Sequence, residues 1–479
     1  MSEVLIIGAG PTGLATAAEL ALAGITVTVL ESRTGQDIPR PVGLQPRTAE
    51  LLDLRGLMAR LPDGEGPVGH FAGLPVPLDY EAWGTRHPRV TRTSQAQLER
   101  VLEDQAVKHG AVILRGREVT GVEQDETGVT VRAGREFRSR YLVACDGGHS
   151  AVRKLLGLEF PGRTETYVAT MAHLTLETTS ELVPKQANHF SEVTRQVPGH
   201  WAMLTPLPEG GHRFVFGSST ADQPRRDAPI TETEVRTALT ALYGDETRLG
   251  EVHAASRFSD ATRQLEHYRH HRVLFAGDAA HIHPPLGGQG LNLGVQDAFN
   301  LSWKLAATLH GTAPTGLLDT YETERHPAAA RTLHHTAAQR VFTAPNRTEN
   351  TEALREIFID LLRGPEANRH ITGLLSGLDL RHPMPTAPDH PLLGLRMPDL
   401  DLATGPLSAL MHDGRPLLLD LGNHEIPQGY QDRVNHIRTT TTTHHDLYLI
   451  RPDGHLSWAG HTNPTPALAH WFGAPAKCP

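Results

Sequence analysis

Residues 4–31 read V-L-I-I-G-A-G-P-T-G-L-A-T-A-A-E-L-A-L-A-G-I-T-V-T-V-L-E. The run Val4–Ile7 is short and apolar, the pattern of a strand buried on both faces. It ends in Gly8-Ala9-Gly10-Pro11-Thr12-Gly13, a G-x-G-x-x-G. The Ala-rich residues 14–23 read as a helix stopped by Gly24. Residues 25–30 read as a second strand, with Glu31 at its end. The three glycines of the motif serve different ends. Gly8 makes the tight turn, Gly10 allows close backbone approach to a pyrophosphate, and Gly13 lets helix pack on strand. The helix N-terminus offers free N–H groups and a positive dipole end to phosphates. Glu31 stands where an acid accepts hydrogen bonds from a ribose hydroxyl. A lone G-x-G-x-x-G is weak evidence. Strand, turn, helix, strand and acid in that order make a dinucleotide site, without separating NAD from FAD.

The chain of 479 residues has room for two or three domains. Its net charge is −9 with no basic run, so nucleic acid is not expected as a partner. Mean hydropathy is −0.32, and no apolar stretch reaches the ~18 residues of a membrane span. Residues 1–7 pass straight into a strand instead of a charged segment and signal core, so export is not expected and a cytoplasmic location is. The two cysteines, Cys145 and Cys478, exclude a disulfide framework and any C-x-x-C pair. The 29 histidines are scattered without metal-ligand spacing, and no metal is expected.

Residues 32–46 hold three prolines and read as a long loop carrying Arg33, Arg40 and Gly43. Helices are expected over 48–55 and, after Thr93-Ser94 as a cap, over 95–109. Residues 62–84 read as loop and strand, and 111–114, 119–124 and 129–133 as strands. A second informative stretch is R-Y-L-V-A-C-D-G-G-H-S-A-V-R at 140–153. There a buried strand ends in Asp146-Gly147-Gly148, and Ser150 can cap the next helix. Asp146 is either a turn residue or a polar contact beside flexible backbone. Residues 168–176, 200–207 and 212–218 alternate like an antiparallel sheet, followed by a helix over 231–243. Within 213–217, Arg213, Val215 and Gly217 share one face, and Phe214 and Phe216 the other. Phe190, Trp201 and Met203 are further pocket candidates, with core packing equally open for each aromatic.

The third stretch, residues 272–306, begins R-V-L-F-A-G-D-A-A-H-I-H-P-P-L-G-G-Q-G-L-N. A strand runs into Gly277-Asp278, then a Gly/Pro loop feeds a helix that starts near Leu291. An acid at a strand end followed by a helix N-terminus suits a polar, anionic ligand. Residues 317–342 read as a helix broken at Pro327, and 345–396 as a helical patch over 353–362 within Pro-rich linker. Residues 400–479 read as a small α/β unit with strands at 417–421, 447–450 and 456–459 and a helix at 467–472.

These three motifs, with Tyr321-x-x-Glu324-Arg325-x-Pro327, resemble the single-component group A flavin-dependent aromatic hydroxylases typified by p-hydroxybenzoate hydroxylase. The tail segments L-I-R-P-D-G-H-L-S-W and W-F-G-A-P are similar to those of bacterial aromatic-polyketide hydroxylases with a thioredoxin-like C-terminal domain. Lacking C-x-x-C, that tail is not expected to be redox-active.

The resemblance implies an α/β fold: a Rossmann-like FAD-binding domain (1–69, 95–165 and 255–345) and an antiparallel-sheet substrate domain (70–94 and 166–254). A helical or linker segment (346–395) and a thioredoxin-like domain (396–479) complete it. By the same resemblance, Gly8, Gly10, Thr12 and Gly13 hold the FAD pyrophosphate and Glu31 the adenosine ribose. Arg40, Gln95 and the backbone of Val119 contact the cofactor. Asp278 binds its ribityl or ribose, Leu291 and Asn292 present backbone N–H groups to the flavin pyrimidine edge, and Gly290 is a further cofactor-binding residue. Asp146 serves FAD or NAD(P)H. Arg213 and the Pro285 loop position flavin or substrate, and no side chain is assigned as a catalytic nucleophile.

No second G-x-G-x-x-G follows a strand, so NADPH or NADH is expected as a transient co-substrate. The implied reaction uses O2 to hydroxylate a polycyclic aromatic phenol through a flavin C4a-hydroperoxide. Baeyer–Villiger oxygenation and non-oxygenating flavin oxidoreduction are the alternatives. The expected partners are a small aromatic substrate and O2, with no nucleic acid and no membrane, in a monomer or homodimer.

Overall fold

The computed structural model describes residues 2–35, 41–62, 64, 66, 68–187, 189–207, 210–218, 224–344, 347–385, 389–439 and 446–476. Strand β1 (Val4–Ile7), helix α1 (Pro11–Leu22) and strand β2 (Val27–Glu31) form in the expected order, both strands wholly buried. The helix starts at Pro11, earlier than its apolar pattern suggests. Proline costs nothing at a first helical position, where its N–H has no intrahelical partner.

Residues 32–46 are not simply a loop. Strand β3 (Pro41–Leu44) pairs antiparallel with β4 (Thr91–Ser94), and helix α2 (Pro46–Asp53) lies between them in sequence. The prolines hid the strand, yet Pro41 can open a strand that needs no N–H there, and its partner lies far along the chain. Conversely, the described residues of 62–84 form turns and the short Glu81–Trp83 helix, with no strand. Helix α3 (Gln95–Lys108) starts at a capping box, with Ser94 and Gln97 satisfying each other's backbone N–H groups.

Strands β5 (Val112–Arg115) and β6 (Tyr141–Ala144) follow, separated by a three-stranded meander whose last strand, Glu136–Ser139, sequence reading missed. Ser150 caps the next short helix, Ala151–Leu155, as expected. The chain then builds a five-stranded antiparallel sheet from β7 (Val168–Thr178), β8 (Thr194–Val197), β9 (His200–Pro206), β10 (His212–Ser218) and β11 (Arg248–Ser259). Helix α4 (Glu232–Tyr243) lies between the last two in sequence, and the spatial order is β8-β9-β10-β7-β11.

The two faces of this sheet differ. Ala172, Leu174, Ala202, Leu204, Phe214 and Phe216 are buried against Val235, Leu239 and Leu242 of α4. The alternate residues Met171, His173, Trp201, Met203, Thr205 and Arg213 are only partly buried.

Strand β12 (Val273–Phe275) rejoins the first sheet, whose parallel part has the order β12-β6-β1-β2-β5. Helices α5 (Gln289–Leu309) and α6 (Thr320–Thr343) follow. The break expected at Pro327 is absent: α6 runs through it. Proline removes one hydrogen bond, but Glu324, Arg325, Ala328 and Ala329 are buried on both sides of it, and that packing holds the helix. Within 345–396, helix Glu349–Leu362 covers the expected patch. A further helix, Pro365–Ser376, replaces part of the expected linker, with Pro365 in its first turn.

The C-terminal unit carries strands β13 (Leu417–Asp420), β14 (Asn435–Arg438), β15 (Leu447–Ile450) and β16 (Leu456–Gly460), then helix α7 (Thr465–Phe472). Its sheet order is β14-β13-β15-β16, with β13 parallel to β14 and the other pairs antiparallel.

Candidate active site

The three sequence motifs converge because of strand order. Gly8, Glu31, Asp146 and Gly277-Asp278 stand at the carboxyl ends of β1, β2, β6 and β12, four neighbours in one parallel sheet. In such sheets ligands bind in the crevice beyond the strand ends.

Backbone geometry separates the roles of the glycines. Gly8 has φ +101°, and a Cβ there would lie against the Cys145 carbonyl and 3.1 Å from Asp146 Cα. A Cβ at Gly13 would collide with the Gly8 carbonyl oxygen, so this glycine exists for packing. A Cβ at Gly10 would meet nothing within 4 Å, so this glycine faces open space at the start of α1. Thr12 ties the first motif to the third: its Oγ1 lies 2.6 Å from where a Cβ on Gly277 would sit, and it also crowds Gly294 of α5.

The three acids differ in state. Glu31 is buried, which opposes its ionisation. Hydrogen bonds from the Arg33 side chain and backbone and from the Ala9 N–H outweigh that and hold its pKa at about 2. Asp146 accepts the Val152 N–H through Oδ2 at 3.0 Å, while its Oδ1 is buried without a partner. Burial raises its pKa, against hydrogen bonds from Ser150 and Val152. Asp278 is accessible yet ringed by protein, the situation of a carboxylate lining a cleft. That crowding raises its pKa, opposed by His281 and reinforced by Asp297. A Cβ on Gly290 would lie 3.7 Å from its Oδ1, which places the start of α5 beside this acid.

Helix α5 begins after Gly288, in the left-handed region, with no side-chain cap. The N–H groups of 289–291, including Gly290 and Leu291, therefore sit at the free positive end of the helix. Asn292 acts through its side chain. Its Oδ1 accepts the Gln45 N–H at 2.8 Å, and its Nδ2 donates to the carbonyls of Gly43 (2.9 Å) and Gly288 (2.8 Å). Gln45 also donates to the Gly287 carbonyl at 3.0 Å. The loop after Pro285 is thus pinned to the end of β3, and Pro285 itself is exposed.

The remaining expectations are more scattered. Gln95 opens α3 and donates to Glu99. The Val119 side chain is buried in the main core. Arg40 lies outside the described residues. Arg213 stands on the open face of the antiparallel sheet, opposite His173 and Thr205. Trp201 and Met203 share that face, and the Trp201 indole lies over Gly217. Phe214 and Phe216 do not: they stack at 4.6 Å inside the core. Phe190 packs on His70, ring centroids 4.3 Å apart.

Sequence reading missed the group that braces the third motif. Asp297 of α5, fully buried, accepts the Gly277 N–H (3.1 Å), His281 Nε2 (2.7 Å) and Arg325 Nε (2.8 Å). Burial opposes its charge, but Arg325 and His281 lower its pKa. In sequence Arg325 reads only as part of a motif. Its partner is a carboxylate on another helix, which no local spacing reveals.

An orphaned carboxylate oxygen at Asp146, a cleft-lining carboxylate at Asp278, open space at Gly10 and an uncapped helix start together fit a large phosphate-bearing nucleotide. Among the described residues no group of three or more His, Cys, Asp or Glu could hold a metal ion, and no helix is long and apolar enough to cross a membrane.

Comparison with known proteins agrees with this geometry. Residues 1–336 match the FAD binding domain family, and residues 390–475 match the family described as aromatic-ring hydroxylase, C-terminal. The chain is 42% identical to the 12-dehydrotetracycline 5-monooxygenase/anhydrotetracycline 6-monooxygenase of Streptomyces rimosus, covering 99% of each. It is 40% identical to a rifampicin monooxygenase of Streptomyces venezuelae, again over 99% of each. Among solved structures, an anhydrotetracycline hydroxylase from Streptomyces rimosus superposes with TM-score 0.89 at 41% identity, covering 99% of this chain and 100% of that one.

Proposed function

We propose that this chain, which belongs to the family of FAD-dependent aromatic-ring hydroxylases and is a single-component flavin monooxygenase, hydroxylates a polycyclic, polyketide-type phenol with NAD(P)H and O2. The observation that carries the flavin part is the meeting of three distant motifs, with Thr12 between Gly277 and Gly294 and Asp278 beside Gly290. The substrate class rests on the two tetracycline- and rifampicin-acting relatives, whose full length this chain spans.

In this reading the backbone at Gly8, Gly10, Thr12 and Gly13 holds the pyrophosphate. Glu31, with Arg33 already on it, takes the adenosine ribose, and Asp278 takes the ribityl chain. Gln95 and Val119 border the adenosine part, with Arg40 assigned by family resemblance alone. Asp146 faces FAD or the visiting nicotinamide nucleotide. FAD supplies hydride acceptance from NAD(P)H and activation of O2. The chain's own residues bind, orient and exclude water. The free N–H groups of 289–291 stabilise negative charge at the flavin pyrimidine edge, with Asn292 holding that helix start in place. The Pro285 loop and the open sheet face with Trp201, Met203 and Arg213 form the walls against which an aromatic substrate lies. An apolar wall keeps water from the reacting atoms.

The sheets support a division into a flavin domain around the parallel sheet, a substrate domain around the antiparallel one, the helical or linker segment 346–395 and the C-terminal unit. The order β14-β13-β15-β16, with its one parallel pair and terminal helix, supports a thioredoxin-like reading of that unit.

The test is anaerobic stopped-flow reduction of the FAD-loaded protein by NADPH and NADH across a panel of polycyclic phenols, followed by product mass after reaction under labelled O2. A phenol that accelerates reduction and gains one labelled oxygen on a ring carbon supports the reading. Labelled oxygen inserted as an ester makes the reaction Baeyer–Villiger oxygenation. NAD(P)H consumption without labelled product makes it a non-oxygenating oxidoreductase.

A further inference from the structure

Neighbouring residues on one turn of α6 reach into two different buried ionic groups. Arg325 goes to Asp297, and so to the Gly277 N–H and His281. Glu324 goes the other way, to the C-terminal unit. Its Oε1 and Oε2 accept Arg451 Nη1 and Nη2 at 2.7 and 2.8 Å, a two-pronged pair, and Lys304 Nζ at 2.8 Å. Arg451 also pairs with Asp453, and Asn300 of α5 donates to both Glu324 and Asp453. Arg451 and Lys304 are fully buried and Glu324 and Asp453 nearly so, two cations against two anions. The Arg451 guanidinium lies over the rings of both Trp303 and Trp471, 5.2 and 4.8 Å from their centroids.

A second tie leaves the same turn. The Asp453 carbonyl accepts Arg47 Nη2 at 2.6 Å. Arg47 stands in α2, two residues after Gln45, which bonds Asn292 and the Gly287 carbonyl. The segment Arg451-Pro452-Asp453-Gly454 therefore touches α2, α5 and α6, the three helices that hold the Pro285 loop, the α5 start and the Gly277-Asp278 turn.

We propose that Arg451 and Asp453 are positioning residues for the flavin site: the C-terminal unit sets FAD affinity by holding α6 and α2 in register with the Gly-Asp turn. This gives the unit a mechanical role, in keeping with its lack of a C-x-x-C pair. A balanced buried ionic group transmits position well because its geometry is fixed by direction and charge, and shifting one member leaves others unpaired. The proposal rests on FAD occupying the crevice.

The experiment titrates apoprotein of the full chain with FAD, read by flavin fluorescence, and follows amide exchange of the 277–294 segment by mass spectrometry. The variants are the charge-balanced double Glu324→Gln/Arg451→Gln and the isosteric Asp453→Asn. The proposal expects folded apoprotein whose FAD dissociation constant rises by about tenfold or more and whose 277–294 segment exchanges faster. A lowered Tm with FAD affinity unchanged within about twofold and unchanged exchange overturns it, leaving a purely structural role. If the double variant does not fold, Asp453→Asn decides on the same two readouts. Failure of the parent protein to bind FAD strikes the flavin reading instead, so the two failures are told apart.

Discussion

Asn292 and Gln45, 247 positions apart, are joined by a 2.8 Å hydrogen bond from the Gln45 N–H to the Asn292 carboxamide oxygen. The same side chain donates to Gly43 and Gly288, so one buried amide fastens the end of β3 to the start of α5. Asn292→Ala removes three bonds and strands a buried N–H and two carbonyls. The expected cost is about 3 kcal/mol of stability, seen as a lower Tm, together with FAD release on gel filtration. Asn292→Asp is expected to do no better, because a carboxylate faces two carbonyl oxygens.

Gly10 and Gly13 differ in the room around them: open space at the first, packed backbone at the second. Gly10 has φ −79°, which alanine adopts freely, and open room for a Cβ. Gly10→Ala is expected to leave the apoprotein within about 0.5 kcal/mol of the parent and to weaken FAD binding strongly. Gly13→Ala drives a methyl into the Gly8 carbonyl and is expected to cost about 3 kcal/mol before any ligand is added. Thermal unfolding with and without FAD checks both.

Phe214 and Trp201 stand on opposite faces of the antiparallel sheet, Phe214 in the core and Trp201 on the partly buried face. Phe214→Ala is expected to destabilise by about 4 kcal/mol, with substrate preference unchanged in whatever protein remains folded. Trp201→Ala or Met203→Ala is expected to alter which phenol accelerates NADPH oxidation, at a cost of about 1 kcal/mol or less. A panel of initial rates beside Tm values distinguishes the two faces.

Buried histidines set the acid limit. His335 and His382 are 3% and 4% exposed. Burial pushes both down to about 3, with the neighbouring His283 charge helping at His335 and Glu324 opposing at His382. In the unfolded chain both titrate near 6.5, so below that pH the unfolded state binds more protons. Their contribution is whole above pH 6.5 and is lost as pH falls from there toward 3. Each is expected to cost about 2 kcal/mol by pH 5. Tm measured from pH 7.5 to 5 should fall, and His335→Gln should flatten that slope.

Residues 4–31 alone determined the first half of the dinucleotide crevice. Every feature there is local: an apolar run, glycines at fixed spacing, a helix pattern, an acid at a strand end. The other two motifs were legible for the same reason, and so was the alternation that puts Phe214 and Arg213 on opposite faces. Only tertiary structure decided that Phe214 is core, that α6 runs unbroken through Pro327, and that Pro41 begins a strand. In each of these, contacts from distant elements overrule a local preference. The same holds for Asp297, Glu324 and Arg451. A carboxylate on one helix and a guanidinium from another unit carry no shared periodicity, and their pairing is fixed only when packing removes water and surrounds each buried charge with the few partners that distant elements supply.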